Sequence, residues 1–321
     1  MRPLCWLRVA VLGDLNWDLV LRVPRLPERS GEVLSGEASL RLGGSAANTA
    51  RWLALLGCEV RLFAAVGEDP LGRLAQEELR RAGVAPDFVR TYPASTGLCC
   101  ALVDERGERT LLTSRGANAL LAPPLPEGWL VGAHWLHLSG YALLEPASRE
   151  AVRAAGAGAR PQGHPVSREP GGIAVHGHGE LLQELGPVDV FLPNREEALA
   201  LTGEADPRRA LRGLQAFGRR GFLKLGGEGS LAWEGERAVA VPAVKVAGRD
   251  PVGAGDAFNA GVIAASLLGG DLRAQAGLGN LLGALAAAGA PLTAQNLRRL
   301  AQTLPEEVRA ALHGVLAALG A

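Results

Sequence analysis

The chain has 321 residues, of which 48% are hydrophobic, so it is long and apolar enough for one large α/β domain or two medium ones. Its 33 basic and 33 acidic residues give a formal net charge of zero, which argues against nucleic-acid binding because such proteins usually carry a basic excess. The sequence shows no signal-peptide pattern, no apolar run of ~20 residues and no paired-cysteine motif. We therefore expect a cytoplasmic protein without membrane contact.

Strand-like and helix-like runs alternate along the chain. An apolar run at 7–12 predicts a first strand, and residues 45–56 predict a helix because their alanines and leucines fall on one face. Further strands are predicted at 60–66, 135–138, 188–192 and 222–225, and further helices at 70–82, 207–217, 257–268 and 272–288. This alternation predicts an α/β fold with a doubly wound, mostly parallel sheet flanked by helices.

Two segments interrupt the alternation and predict a small β-flap, or lid. Residues 18–40 alternate weakly and contain two prolines, and residues 96–114 predict a hairpin with its turn at Glu105-Arg106-Gly107. We expect both to form an antiparallel sheet inserted in a single domain, 1–321. A two-segment sheet leaves one face uncovered, so we also expect a homodimer through the lid.

Residues 156–180 are rich in glycine and histidine and show little periodicity. His164, His176 and His178 suggest a metal site, but their spacing matches no helix-borne ligand set. We therefore expect a variable, solvated loop.

The strongest local motif is Asp250-Pro251-Val252-Gly253-Ala254-Gly255-Asp256, followed directly by an apolar helix. Glycines that flank an alanine let backbone amides converge on an anion, and the helix adds its positive N-terminal end. Two interpretations of Asp256 remain open. It is either a helix N-cap or a general base that accepts the proton of a hydroxyl attacking a bound phosphoryl group.

Glycines also precede a helix at Gly43-Gly44-Ser45. Asn48 in that helix could hydrogen-bond a polyol, whereas Ser45 could simply cap the helix. Asn16 and Asp18, after the first strand, would suit a ligand rich in hydroxyl groups.

Asn194-Arg195-Glu196-Glu197 follows the strand predicted at 188–192, where polar side chains of a parallel sheet face the ligand crevice. Asn194 and Glu197 lie on one side of a helical turn and could hold Mg²⁺ through water, or could simply begin a helix. The run 224–229, from a lysine into a glycine turn, is a weaker signal.

Together these motifs resemble the ribokinase-like (PfkB) family of carbohydrate kinases. GGSAANTARWLALLGCEVRLFAAVGEDPLG, residues 43–72, resembles the family's N-terminal signature, and DPVGAGDAFNAG, residues 250–261, resembles its C-terminal signature. Shorter motifs that resemble those of the family lie between the two signatures, in the family's order, at 107–110, 116–118, 193–197 and 224–229. The resemblance covers nearly the whole chain.

The resemblance implies an enzyme that phosphorylates a hydroxyl of a small sugar with ATP. It implies that Asp256 is the base and that the amides of Gly253, Ala254 and Gly255 form an anion hole. It implies that the sugar is bound by Asn16, Asp18, Gly44 and Asn48. It implies that the nucleotide is bound by Asn194, Lys224, Gly226, Gly229 and Asn280. It also implies Mg²⁺, held by Glu197 through water, and a monovalent cation such as K⁺ at Asp250 and Val252.

The sequence departs from the family pattern at two places. Ser45 stands where ribokinases tend to have lysine, and Arg168 is unexpected in Ser167-Arg168-Glu169-Pro170, where the family usually has a strand that ends in an acid before proline. A nucleoside kinase is an alternative, because Trp17 and Leu19 could stack on a base. A sugar-binding regulator without catalysis is another, although the intact Gly253–Asp256 run argues against it.

Overall fold

The computed structural model describes residues 4–106, 108–246 and 252–320. Within these ranges the strands are β1 Arg8–Leu12, β2 Asn16–Arg22, β3 Glu37–Gly43, β4 Glu59–Gly67, β5 Val89–Tyr92, β6 Gly97–Val103, β7 Arg109–Ser114, β8 Trp135–Ser139, β9 Val166–Glu169, β10 Val188–Phe191, β11 Gly218–Lys224, β12 Ser230–Glu234 and β13 Arg237–Val241. The helices are α1 Ser45–Leu55, α2 Pro70–Arg81, α3 Pro146–Ala159, α4 Glu180–Glu184, α5 Arg195–Thr202, α6 Pro207–Leu214, α7 Ala254–Leu267, α8 Leu272–Ala287, α9 Ala294–Ala301 and α10 Glu306–Ala318.

The main sheet has the order β13-β12-β11-β10-β9-β8-β1-β4-β5. The strands from β11 to β5 run parallel, and β12 and β13 form an antiparallel edge. In β1, Val9 and Val11 belong to the core that also contains residues of α1, α2 and α7–α10, whereas Ala10 and Leu12 belong to the core that contains residues of α3–α6. A strand that is covered on both faces reads as a continuous apolar run, and this explains why β1 was predictable. The predicted doubly wound sheet is confirmed.

The lid is a separate four-stranded sheet in the order β3-β2-β6-β7. β2 pairs antiparallel with β3, and β6 pairs antiparallel with β7, as predicted. However, β2 and β6 run parallel to each other, so the prediction of a wholly antiparallel flap is wrong. The reason is that each of these two strands leaves the same end of the main sheet, β2 after β1 and β6 after β5, and both continue in one direction.

Residues 156–180 do not form the predicted solvated loop. The segment begins in α3 and contains β9, which is buried throughout its four residues and lies in the middle of the main sheet. The strand was missed because Ser167, Arg168 and Glu169 are polar and the strand is too short to show a period. Among the residues that the structure describes, no group of three or more histidine, cysteine, aspartate or glutamate side chains could hold a metal ion.

None of the helices in the described ranges is long and apolar enough to cross a membrane.

Candidate active site

Polar side chains gather where five neighbouring parallel strands end. Ser139, Glu169 and Lys224 are the last residues of β8, β9 and β11, while Asp14 and Asn194 closely follow β1 and β10. Strand ends of a parallel sheet meet at one edge, and in open α/β sheets the ligand crevice lies outside that edge. The N-termini of α1 and α7 and the lid strand β2 border the same edge.

Asp256 is the third residue of α7, whose N-cap is Gly253 with φ of 76°. Its carboxylate does not cap the helix. Instead, Oδ1 accepts a hydrogen bond from Ser45 Oγ at 2.8 Å, and Oδ2 accepts one from Asn48 Nδ2 at 3.0 Å. The N-cap interpretation of Asp256 is therefore wrong, and the side chain is held toward α1, at the edge where the strands end.

Ser45 connects Asp256 to a second carboxylate, Glu169. Ser45 Oγ lies 2.9 Å from Glu169 Oε1, which also accepts a hydrogen bond from Ser139 Oγ at 2.7 Å. The cap of α1 is Gly44, with φ of 93° and no side-chain bond, so the alternative in which Ser45 caps this helix is wrong. The positive φ favours glycine here, and a Cβ on Gly44 would lie 2.3 Å from the Asp14 carbonyl oxygen.

The pKa of Asp256 is raised to about 7, mainly by burial and next by the charge of Glu169. Hydrogen bonds from Asn48 and Ser45, and the charge of Lys224, act in the opposite direction. A carboxylate whose pKa is shifted by desolvation and by named charge partners is a candidate for proton transfer near neutral pH.

The first amides of α7 have no acceptor inside the helix, and no side chain caps them. They belong to Ala254, Gly255 and Asp256, beside the carboxylate of Asp256 itself. A helix N-terminus with free amides attracts an anion, and its partial positive charge adds to the attraction. This geometry can hold a phosphate or a charge that develops on one.

Lys224 approaches α7 from the end of β11. Its Nζ donates to Asn259 Oδ1 at 3.2 Å and would lie 3.7 Å from a Cβ on Gly255. Its charge lowers the pKa values of both Asp256 and Glu197. Lys224, which the resemblance assigns to the nucleotide, thus also places a positive charge near Asp256 and Glu197.

Asn194 and Glu197 form a capping box at the start of α5. Asn194 Oδ1 accepts from the Glu197 amide at 2.9 Å, and Glu197 Oε2 accepts from the Asn194 amide at 2.7 Å. Glu197 Oε1 also accepts from the Gly172 amide at 2.9 Å. The helix-entry interpretation is confirmed, and burial raises the pKa of Glu197 despite these bonds.

The predicted sugar residues border the lid. Asn16 is buried, and its Oδ1 accepts from Asn118 Nδ2 at 2.7 Å. Gly43 pairs with Asn16 in the β2–β3 ladder and lies diagonally across from Asp18, so a Cβ on Gly43 would come within 2.3 Å of the Asp18 carboxylate. Trp17 is 4% exposed, and its indole N–H donates to the Leu71 carbonyl, so the idea that Trp17 stacks on a base is wrong.

The predicted nucleotide residues lie farther along the sheet edge. Gly226 and Gly229 belong to the turn between β11 and β12, and a Cβ on Gly226 would meet no atom within 4 Å. Asn280, in α8, donates from Nδ2 to the carbonyls of Val241 and Pro242. Asp250 lies outside the described residues, whereas Val252 lies in the turn that leads into α7.

Several side chains in the crevice were not among the predicted site residues. Tyr141 follows β8 and is half-buried, and burial together with the charges of Glu169 and Glu197 raises its pKa. Arg115 Nη2 donates to Asp14 Oδ1 at 2.8 Å, and its Nη1 is buried with no hydrogen-bond partner among the described residues. Only the position of Asp14 directly after the first strand signalled that it belongs here.

The residues present fit a nucleotide-borne magnesium ion better than a protein-held one. Glu169 lies close enough to Glu197 and to Asp256 for its charge to raise the pKa of both, and three such carboxylates would repel the phosphates of ATP unless cations intervened. Mg²⁺ usually keeps several waters and is held by one or two carboxylates together with phosphate oxygens. The three carboxylates provide such oxygens without forming a closed metal cage.

Comparison with known proteins gives three concordant findings. The chain matches the family described as pfkB family carbohydrate kinase over residues 7–294. It is 34% identical over 283 residues to an ATP-dependent ribose-1-phosphate kinase from Halopiger xanaduensis, an alignment that covers 87% of this chain and 92% of the relative. Adenosine kinase from Sinorhizobium meliloti superposes with a TM-score of 0.81 at 26% identity, over 92% of this chain and 99% of that one.

A ribokinase from Arabidopsis thaliana, in complex with ribose and ATP, shares the fold. It superposes with a TM-score of 0.77 at 24% identity, over 94% of this chain and 99% of the ribokinase.

Proposed function

Because the chain belongs to the pfkB family of carbohydrate kinases, we propose that it transfers the γ-phosphoryl group of ATP to a sugar hydroxyl, with Asp256 as the general base. The observation that carries this role is the position of Asp256 at the start of α7. It is half-buried beside free helix amides, its carboxylate accepts from Ser45 on the neighbouring α1, and its pKa is raised to about 7.

The chemistry follows from that position. The carboxylate of Asp256 accepts the proton of the sugar hydroxyl while the oxygen bonds to the γ-phosphorus and the bond from phosphorus to ADP breaks. The amides of Gly253, Ala254 and Gly255 act as the anion hole and stabilise the charge on the transferring group. Ser45 and Asn48 hold the carboxylate in place before the substrate arrives.

The neighbouring carboxylates of Glu169, Glu197 and Asp256 support a cation requirement. Mg²⁺ bound to ATP would neutralise phosphate charge, and Glu197 and Asn194 would orient its water ligands. Lys224 would contact a phosphate oxygen, since its ammonium group lies next to the first turn of α7. Gly226, Gly229 and Asn280 would border the nucleotide. We also expect a K⁺ requirement with Asp250 and Val252 as ligands.

For the acceptor we propose a pentose or a pentose 1-phosphate, bound by Asn16, Asp18, Gly44 and Asn48. The similarity to a ribose-1-phosphate kinase supports this class. So does Arg115, because a buried guanidinium nitrogen without a partner beside the predicted sugar residues suits an anionic group on the substrate. A nucleoside is the second candidate, favoured by the similarity to an adenosine kinase.

A coupled assay of ADP release tests these proposals. Mg-ATP would be incubated with ribose, ribose 1-phosphate, ketohexoses, keto-deoxy acids and nucleosides, with Asp256→Asn in parallel. Release with one compound, absent in the variant, would identify the acceptor and support Asp256 as the base. Equal release by wild type and variant would exclude that role. If no compound caused ADP release but one of them bound in a thermal-shift assay, the result would favour a sugar-binding regulator.

A further inference from the structure

A cavity of about 540 Å³ lies between α3, the segment after α4 and the main sheet. Its lining includes Val166 and Val188, the first residues of β9 and β10, together with Leu138 and Arg168 farther along β8 and β9. Its volume is in the range of small-molecule sites, roughly 300–1,000 Å³. No residue assigned above to sugar, nucleotide or metal lines it.

Arg168 lines this cavity and is 1% exposed. Its Nη2 donates to the carbonyls of Leu182 and Gly186, each at 3.1 Å, while its Nε is buried without any hydrogen-bond partner among the described residues. None of the ion pairs found in the described ranges includes Arg168, and burial lowers its pKa to about 10. A buried cation without a counter-charge is unfavourable, and such groups normally have a partner.

The acids at the cavity do not neutralise it. Glu184 pairs with Arg153 at 3.0 Å, and Asp189 Oδ2 accepts from the Val166 amide at 2.9 Å. Arg160 also lines the cavity and has no ion pair in the part of the chain that the structure describes. Arg168 therefore has no counter-charge among the described residues, although its guanidinium carbon lies 6.0 Å from the centre of the Phe191 ring. Arg160 is exposed and adds a second positive charge to the cavity, whose apolar lining includes Leu138, Val152 and Val166.

We propose that this cavity binds a small organic oxyanion, a phosphate monoester or a carboxylate with an apolar body, whose charged group contacts Arg168 and Arg160. A guanidinium offers parallel N–H groups that match both oxyanions, which explains the unpartnered nitrogen. The apolar strand residues would contact the body of the ligand. This site is separate from the proposed sugar and nucleotide sites and does not depend on them.

Gly156 provides a variant that closes the cavity without touching either arginine. It lines the cavity from α3, and a Cβ at this position would meet no atom within 4 Å. Gly156→Leu would place an aliphatic side chain in the cavity, and leucine has a higher helix propensity than glycine. The fold should therefore persist. Arg160→Gln removes the more exposed charge, and Arg212→Gln, on exposed α6 surface, is its charge-matched control.

The test is hydrogen–deuterium exchange of the full chain, titrated with phenyl phosphate, with benzoate, and with uncharged benzyl alcohol. We expect at least one anion to slow exchange at 153–160 and 182–189 in wild type, Asp256→Asn and Arg212→Gln. Binding should weaken at least about tenfold in Gly156→Leu and about threefold in Arg160→Gln. Benzyl alcohol should give no protection.

Three results would overturn the proposal. Protection confined to 252–256 would mean that the anions bind only at the start of α7. Equal affinity in wild type and Gly156→Leu would exclude this cavity. Absence of protection at 153–160 with both anions at millimolar concentration would exclude an oxyanion ligand. The relative effects of phenyl phosphate and benzoate distinguish a phosphate from a carboxylate.

Discussion

Asp256 and Glu169 share one hydroxyl: Ser45 Oγ lies 2.8 Å from Asp256 Oδ1 and 2.9 Å from Glu169 Oε1. A serine hydroxyl has a single hydrogen, so it donates to one carboxylate at a time and accepts from the other only when that other is protonated. Both contacts are satisfied together when the pair of carboxylates carries one proton. If Asp256 accepts the substrate proton as proposed, the proton would have a hydrogen-bonded route through Ser45 to Glu169.

Asp256→Asn should abolish phosphoryl transfer while the protein remains folded. The amide cannot accept the hydroxyl proton, and loss of a general base lowers turnover by about 10²–10⁴-fold. The measurement is kcat with the acceptor found in the ADP-release assay, together with a circular dichroism melt. Turnover close to that of the wild type would remove Asp256 from the mechanism.

The same substitution has a second expected effect, on stability. The pKa of Asp256 is raised from 3.8 to about 7, so the folded state favours the protonated form. The stability that this preference contributes is present at low pH and is lost as the pH rises from about 4 to about 7. Asp256→Asn should therefore gain stability relative to the wild type over that interval, by up to about 4 kcal/mol. Urea melts at pH 5 and pH 8 measure the gain. An equal difference between the two proteins at both pH values would contradict the raised pKa.

The pH dependence of kcat/KM should report the neighbours of Asp256. In the wild type, kcat/KM should rise through an apparent pKa near 7, because the base acts in its unprotonated form. Glu169→Gln removes a negative charge that raises this pKa, so the rising limb should move to lower pH. Ser45→Ala removes a hydrogen bond that stabilises the carboxylate, so the limb should move to higher pH.

These two opposite shifts separate an electrostatic role from a structural one. A residue that only supports the fold would lower kcat/KM at every pH without moving the limb. Asn48→Ala should also move the limb to higher pH, as Ser45→Ala does, since Asn48 too donates a hydrogen bond to Asp256. Shifts of Glu169→Gln and Ser45→Ala in the same direction would be incompatible with the hydrogen-bond arrangement described here.

The sheet and most helices could be predicted because their signal is local. The apolar run of β1 and the small, one-sided face of α1 are visible in any short window of sequence. Glu169 and Arg168 required the tertiary structure. Their strand has four residues, three of them polar, and the partners of these polar groups come from other segments. Glu169 accepts from Ser45 and Ser139, and Arg168 Nη2 donates to the carbonyls of Leu182 in α4 and of Gly186 after it.

The role of Ser45 was hidden for a related reason. A serine after two glycines at a helix start is typical of a cap, and only the packing of α1 against α7 shows that its hydroxyl contacts Asp256 instead. The motif around residue 256 resembled the family's signature, but the residues that surround the proposed base, Ser45, Asn48 and Glu169, lie more than 80 positions away in the chain.

Gly43→Ala should weaken sugar binding more than it slows turnover. Its Cβ would lie 2.3 Å from the carboxylate of Asp18, so the side chain of this proposed sugar ligand must move. We expect KM for the sugar to rise about tenfold with a smaller change in kcat, the pattern of lost ground-state binding. Gly36→Ala is the control, since a Cβ there meets no atom within 4 Å. Unchanged KM in Gly43→Ala would argue that Asp18 does not bind the sugar.

One face of the lid carries a row of apolar side chains, and we predict that the protein forms a dimer through this face. Leu40, Leu19, Cys100 and Leu112 stand side by side across the four lid strands. Leu40 is 46% exposed and Leu112 is 61% exposed, so this row presents apolar surface to solvent. A contiguous apolar row on a thin sheet indicates an interaction surface, and a second copy of the chain would cover it.

Leu112→Glu tests this face directly, because it places a charge in the row without altering the hydrogen bonds of β7. We expect light scattering at micromolar concentration to give a dimer for the wild type and a monomer for Leu112→Glu. Leu111→Glu is the matched control: its side chain is 57% exposed but, as the adjacent residue of a strand, points to the opposite face of the lid. It should remain dimeric. A monomeric wild type would exclude the dimer. If both variants weakened the dimer equally, the apolar row would not be the dimer contact, since only Leu112→Glu places its charge in that row.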